Sequence, residues 1–311
     1  MTSAESPSWR RAGRILEAPG GPLARSHAML PTPLVLSDRI RVFFASCDDD
    51  MRGRIFFADL ALEPPHAVLG LSDAPVLDIG EPQDFDCDGV NPSQALIVDG
   101  RLLLLYIGWR RGPSAAPYTL FAGLAQSDDE GLTFRKRRGP LLPATAAEPC
   151  FRTAPFVWPS AEGWRMLYIG GGAFFSAPDG RRLPLYSLRE ATSPDVASWP
   201  DEGRAVLAPD QASGEIGFGR PVLWQGAAGG PVVMLSVRTT DGYRLVQGAA
   251  DEILAGGRRF SEVLEGEPDA WEAQMTCFGA PCVAGDRELL LYNGDGFGRT
   301  GFGLAWRPGR P

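Results

Sequence analysis

One pattern recurs along the whole chain: a proline, an apolar stretch, a Gly/Asp turn, then alternating apolar residues that usually end in an aromatic. It reads PLVLSDRIRVFF from Pro33, PSQALIVDGRLLLLYIG from Pro92, PFVWPSAEGWRMLYIG from Pro155, PVLWQGAAGGPVVMLSV from Pro221 and PCVAGDRELLLYNG from Pro281. These prolines stand 59, 63, 66 and 60 residues apart, so units of about sixty residues fill the 311 positions. Within each unit the apolar period is two and the breaks fall on Gly, Asp, Asn and Pro, the pattern of short strands joined by tight turns. No window of a dozen residues carries a helical stripe between strong caps. A unit of this length suits a four-stranded blade, and five of them suit a closed ring. The sequence therefore predicts an all-β fold, a five-bladed β-propeller forming one domain over residues 1–311. The N-terminal segment, about residues 1–20, is expected to help close the ring.

A turn motif supports this independently. SDDEGLTF, Ser127 to Phe134, has the S-x-D-x-G-x-T-aromatic form in which Ser and Asp side chains cap a hairpin through backbone amides. A shortened form, SPDVASW, begins at Ser193. Acids in such turns are expected to be structural.

Composition excludes several function classes. With 44% hydrophobic residues the chain can bury a sizeable core, and its net charge of -8 argues against binding nucleic acid through phosphate neutralisation. The first twenty residues lack the apolar core of a secretory signal and no run reaches membrane-spanning length, so a cytoplasmic protein without a membrane partner is expected. Five cysteines without CxxC pairing fit reduced thiols, and two histidines, His27 and His66, are too few for a histidine-rich metal site.

The stretches SHAMLPTPLVL, FDCDGVNPSQALIVDGRLLLLYIGW, GWRMLYIG and LLLYNGDGFGRTGFGLA resemble bacterial five-bladed propellers related to glycoside hydrolase family 43, in particular an intracellular branch. The resemblance runs from Trp9 to Ala305. It implies a carbohydrate-active enzyme whose acids come from inner strands: a base beside the first proline, a pKa-tuning Asp in a middle blade and an acid Glu before a later proline. At those places this chain has Thr32, Ala154, and Gly219 with Arg220. It also has Cys87 and Gln274 where the branch resembled carries acids, and it gains Asp88.

A propeller's pocket lies where the innermost strand of each blade begins. The residues before each repeat proline are polar: His27; Asp86, Cys87, Asp88 and Asn91; Cys150 and Arg152; Glu215 and Arg220; Glu272, Gln274 and Cys277. Their recurrence at one phase points to a shared small-molecule site. Glycoside hydrolysis needs two carboxylates, about 5 to 5.5 Å or about 6.5 to 9.5 Å apart. The catalytic candidates are Asp86, Asp88, Glu215 and Glu272, with Asp88 or Asp86 as base or nucleophile and Glu215 as acid. For Asp86 and Asp88 the other reading is an Asx turn; for Glu215, a solvated loop acid.

Arg152 and Arg220 suit an anionic sugar conjugate, or else ion pairs with nearby acids. Cys87, Cys150 and Cys277 could bind a soft metal or supply a nucleophile, or be inert buried thiols. Asn293, Asp295 and Arg299 in NGDGFGRTGFG are further substrate-binding candidates, with Trp109 and Trp271 as stacking platforms. Metal content is left open and no organic cofactor is expected.

The function expected is a family 43-like enzyme acting on a small glycoside or sugar conjugate by carboxylate acid/base chemistry: hydrolysis, transfer or phosphorolysis. The alternatives are a divergent propeller enzyme performing a non-hydrolytic step in natural-product or glycan biosynthesis, and a sugar-binding propeller without catalysis.

Overall fold

The computed structural model describes residues 8–226 and 230–309. The chain is nearly all β. It opens with β1 (Trp9–Leu16) and then runs in consecutive antiparallel meanders. The first is β2 (Ser26–Val35), β3 (Arg39–Cys47), β4 (Gly53–Ala61) and β5 (Val68–Leu71). The next is β6 (Gly89–Val98), β7 (Arg101–Arg111), β8 (Tyr118–Ser127) and β9 (Arg135–Lys136). A third is β10 (Phe151–Ser160) and β11 (Gly163–Gly171), interrupted by a hairpin of β12 (Phe174–Ser176) and β13 (Arg182–Pro184), then β14 (Ser187–Ser193) and β15 (Arg204–Leu207). There follow β16 (Gly217–Trp224), β17 (Val232–Arg238), β18 (Tyr243–Ala249) and β19 (Ser261–Glu262). After β20 (Leu264–Glu265) come β21 (Cys277–Ala284), β22 (Arg287–Asn293) and β23 (Phe302–Pro308).

Contacts among the first strands form a closed circuit: β2 meets β6, β6 meets β10, β10 meets β16, β16 meets β21, and β21 returns to β2. Among the described residues the last meander has three consecutive strands, β21 to β23. β1 supplies a fourth, pairing antiparallel with β23 on one side and parallel with β20 on the other.

Local sequence explains the strands. In VDGR, Asp99 and Gly100 both have positive φ, 51° and 75°, the mirror-image turn whose twist matches a two-residue hairpin. Neighbouring meanders pack face to face, so both faces of a middle strand are buried. Phe43 packs with Leu102, Leu104 and Tyr106 of the following meander, whereas Phe44 packs with Leu289, Leu291 and Phe302 of the last. This is why LLLLYIG reads as an unbroken apolar run: Leu102 and Leu104 face one neighbour, Leu103 and Leu105 the other. Each fully buried Leu or Phe contributes about 1.5–3 kcal/mol.

Every first strand carries a register break near its start: between Met29 and Thr32, Pro92 and Gln94, Thr153 and Phe156, Gly219 and Val222, and Cys277 and Ala280. Leu30, Ala154, Arg220 and Phe278 take positive φ within these bulges. Pro155 and Pro221 lie inside their bulges while Pro33 and Pro281 lie beyond theirs, so the repeat read from prolines is out of phase in the first and last units.

The SDDEGLTF turn is capped as its residues dictate. Ser127 Oγ accepts from the Gly131 amide at 2.8 Å and donates to Asp129 Oδ1 at 2.6 Å, and Asp129 accepts from the Thr133 amide and hydroxyl at 3.0 and 2.6 Å.

Candidate active site

The acids before the inner strands are built into a repeated buried lock. Register places Tyr106, Tyr168, Leu235 and Tyr292 at one equivalent position of the middle strands, and an acid stands twenty residues before each: Asp86, Glu148, Glu215 and Glu272. A cation completes each lock. Asp86, 1% exposed, accepts from the Tyr106 hydroxyl at 3.0 Å and pairs with Lys136 Nζ at 2.6 Å. Glu148, with no exposed surface, accepts from Tyr168 at 2.9 Å and pairs with Arg152 at 2.9 Å and Arg189 at 2.8 Å. Glu272 lies beside Tyr292 and pairs with Arg11 of β1 at 3.1 Å. Glu215 has Leu235 at the position of the phenol, and pairs with Arg258 at 2.7 Å while accepting from the Asp210 amide.

These contacts correct several sequence expectations. Asp86 and Glu272 are buried and ion-paired within their meanders rather than presented to a ligand, because a charge at these depths requires a partner. Arg152 belongs to the Glu148 lock and also donates to Pro143 O and Pro200 O, so it is not free to grip a substrate anion. Glu148 escaped the sequence reading, although its twenty-residue offset from Tyr168 was there to be found.

Arg220 occupies the centre of the circuit. From its bulge on β16 it donates to Pro31 O at 2.8 Å, Phe278 O at 3.1 Å, Thr32 Oγ1 at 2.7 Å and Ser93 O at 3.2 Å, joining three other first strands. Burial brings its pKa down to about 9. It is a cross-link, not a substrate ligand. Asn293 does the same between last and first meanders: its Oδ1 accepts from the Leu30 amide at 2.7 Å, and its Nδ2 donates to Ala28 O at 2.7 Å and Gly301 O at 2.9 Å. Trp271, 8% exposed, packs against Tyr292 with ring centroids 5.4 Å apart and is a core residue rather than a platform. Asn91 lies at the junction of β4 and β6, with Oδ1 buried.

The cysteines do not form a reactive ring. Burial raises the pKa of the Cys87 and Cys150 thiols, and that of Cys277 well above its ordinary value, which disfavours the thiolate that nucleophile or metal ligand would require. Among the described residues no group of three or more His, Cys, Asp or Glu is placed to hold a metal ion.

A second set of residues gathers where the first strands begin. The Asp88 amide donates to Trp109 O at 3.0 Å, and Asp88 Oδ2 accepts from the Arg111 amide at 2.9 Å with the Arg111 guanidinium 3.7 Å from Oδ1. The Asp88 side chain keeps 20% exposure. Trp109 is half-buried; its ring lies 6.0 Å from Tyr118, and the Arg111 guanidinium is 5.5 Å from its centroid. Tyr118 continues to Phe174 of the inserted hairpin, to Phe151 and, hydroxyl to hydroxyl at 3.4 Å, to Tyr186.

Across the ring end, Tyr243 packs on Phe278 and Phe297 around Arg238. His27 has φ of 67°, sits 2.9 Å from Ser26 Oγ, and has its pKa lowered by burial and then by Arg299. Asp295 is occupied in capping the Gln274 and Met275 amides, each at 2.8 Å, while Gln274 and Arg299 remain exposed. Sequence reasoning missed Tyr118, Tyr186, Arg238 and Tyr243, because they lie away from the first strands, Tyr186 in the link between β13 and β14, and reach the mouth only through the fold. A shallow depression of about 610 Å³ lined by Glu162, Arg165, Glu190 and Arg204 lies at the other end of the third meander, where Glu190 pairs with both arginines.

The fold is similar to that of several solved glycoside hydrolases. A GH43_1 enzyme from Xanthomonas citri, solved with xylose, superposes with a TM-score of 0.62 at 16% identity, covering 95% of this chain and 89% of its own. A glycosyl hydrolase from Bacteroides ovatus gives 0.65 at 14%, covering 100% and 99%. A third structure, described under the GH130 family of mannoside phosphorylases and glycoside hydrolases that target β-1,2 mannosidic linkages, gives 0.66 at 14%, covering 99% and 98%. In sequence, the chain is 28% identical over 312 aligned positions to the uncharacterized protein Rv1502 of Mycobacterium tuberculosis (strain ATCC 25618 / H37Rv), covering 96% of this chain and 98% of that one. No family model matches the chain. Among the described residues no helix is long and apolar enough to cross a membrane.

Proposed function

We propose that this chain is a five-bladed β-propeller, closed by β1, that acts as a carbohydrate-active enzyme on a small glycoside or sugar conjugate at the mouth of the ring. The observation that carries this reading is the wall of Trp109 and Tyr118 beside Asp88, on a fold shared over the whole chain with glycosidase and phosphorylase propellers. A sugar stacks its apolar face on such rings. Asp88 keeps surface there, and it is held toward the mouth by the Arg111 amide, with the Arg111 guanidinium 3.7 Å away, which places its free oxygen surface where a base would act.

The second reading, a non-hydrolytic step, is favoured by the locks. Asp86, Glu215 and Glu272 each carry a cation partner, so the second carboxylate of a hydrolytic pair is not poised beside Asp88. Turnover of aryl glycosides and sugar phosphates, with and without phosphate, tests both. Asp88→Asn is expected to lower kcat/KM by about 10²–10⁴-fold with KM little changed. Glu215→Gln is expected to keep most activity; its complete loss in a folded variant would restore Glu215 as the acid. No turnover of any member by folded wild type would sink the hydrolytic and phosphorolytic reading and favour the biosynthetic one.

A further inference from the structure

The arginines packed into this protein are matched with acids. Arg41 pairs with Asp59, Arg54 with Asp48 and Asp78, and Arg152 with Glu148. Arg220, the exception at the centre of the ring, is held through its two terminal nitrogens by four oxygen acceptors. Arg238 is different. It ends β17 at the mouth, half-buried, and among the described residues no carboxylate lies within ion-pair distance of it.

Its surroundings are aromatic instead: the guanidinium carbon lies 5.4 Å from the Tyr243 ring centroid, 5.7 Å from Tyr186 and 6.0 Å from Phe297, with the Tyr118 phenol beside it. Burial raises the pKa of both Tyr186 and Tyr243, so these phenols stay protonated and able to donate. A planar fork of charged N–H donors beside neutral O–H donors complements an oxyanion. The inserted hairpin roofs this corner, with Phe174 on Tyr118 and Arg182 donating to Ala115 O of the β7–β8 loop.

We propose that Arg238, with the phenols of Tyr118, Tyr186 and Tyr243, is the subsite for an anionic group, a carboxylate or a phosphate, carried by the sugar that the mouth accepts. This rests on the carbohydrate reading above and adds the class of substrate. The Trp109 face takes the sugar ring and Arg238 takes its charge, so uronic acids and sugar phosphates are selected over neutral sugars.

Calorimetric titration of the full chain with glucuronate, galacturonate, glucose 1-phosphate, glucose, galactose and inorganic phosphate tests it. The anionic sugars are expected to bind at least about tenfold tighter than the neutral ones, and Arg238→Gln to abolish that margin while leaving neutral-sugar affinity within about twofold. Uronates alone gaining the margin would assign a carboxylate; glucose 1-phosphate and free phosphate alone, a phosphate. Tyr118→Phe, which removes one hydroxyl and keeps the ring, is expected to lose part of the margin and guards against a misfolded arginine variant. Equal affinity for neutral and anionic sugars in wild type, or a margin that survives Arg238→Gln, overturns the subsite and leaves the carbohydrate reading standing. Arg238-dependent binding of free phosphate without binding of any sugar would do the reverse.

Discussion

At the residue scale, the chain's most acidic-looking stretch divides into two jobs. Asp86 of DFDCDGV is buried against Tyr106 and Lys136, and Asp88, two residues on, keeps surface beside Trp109. The buried, ion-paired acid recurs at Glu148 and Glu272, each twenty residues before a tyrosine. Glu148 is the deepest case, since both it and Arg152 have side chains at most 1% exposed. Glu148→Gln leaves two guanidinium groups without their carboxylate and is expected to cost about 3–5 kcal/mol in urea unfolding. Asp86→Asn is expected to cost less, because Lys136 is already 24% exposed and can turn to water. Equal costs at the two positions would contradict the view that burial of the cation sets the penalty. The twenty-residue offset was there in the sequence and singles out Asp86 in DFDCDGV; that an acid at this offset is buried against the tyrosine and a cation was not legible, because that contact depends on the turn geometry and on strands elsewhere in the meander.

Elements explain why the locks also close the molecule. The last meander takes its outer strand from β1, and its lock takes Arg11 from the same strand, so one N-terminal segment supplies both backbone pairing and charge. Trp9 on β1 has no exposed surface and packs with Leu290, Tyr292 and Ala305. Removing residues 1–17 therefore exposes the β23 edge and leaves Glu272 buried without a cation. The truncated chain is expected to be unfolded or aggregated, by circular dichroism and gel filtration, and adding a peptide of the β1 sequence in trans is expected to recover folded protein. A truncated chain with wild-type unfolding midpoint would show that β1 is dispensable. The Pro-based repeat located every meander but missed the phase of the first and last by two residues, because the bulge, not the proline, fixes where the inner strand turns into the ring.

For the whole molecule, depth of packing has a pH consequence. Burial, reinforced by the adjacent Glu148, pushes the Tyr168 phenol up to about 12, and burial pushes the Cys282 thiol up to about 12. Both exceed their unfolded values, so these groups favour the folded state fully below about pH 9, and that contribution is lost as pH rises towards 12. The urea midpoint is expected to hold near pH 8 and to fall steadily above about pH 9.5, with Tyr168→Phe showing a shallower fall. A midpoint flat to pH 11 would contradict it. The repeat, the period-two alternation and the turn residues by themselves determined the all-β meanders and their order, because strand periodicity and left-handed turn positions are local properties. Which polar residues meet was decided only by tertiary structure: Arg220 and Asn293 became cross-links, Arg152 joined a lock, and Arg238 reached the mouth beside Tyr118, Tyr186 and Tyr243 from segments far apart in the chain. Side-chain partners across a ring depend on register between meanders, and no span of sequence shorter than the ring contains that information.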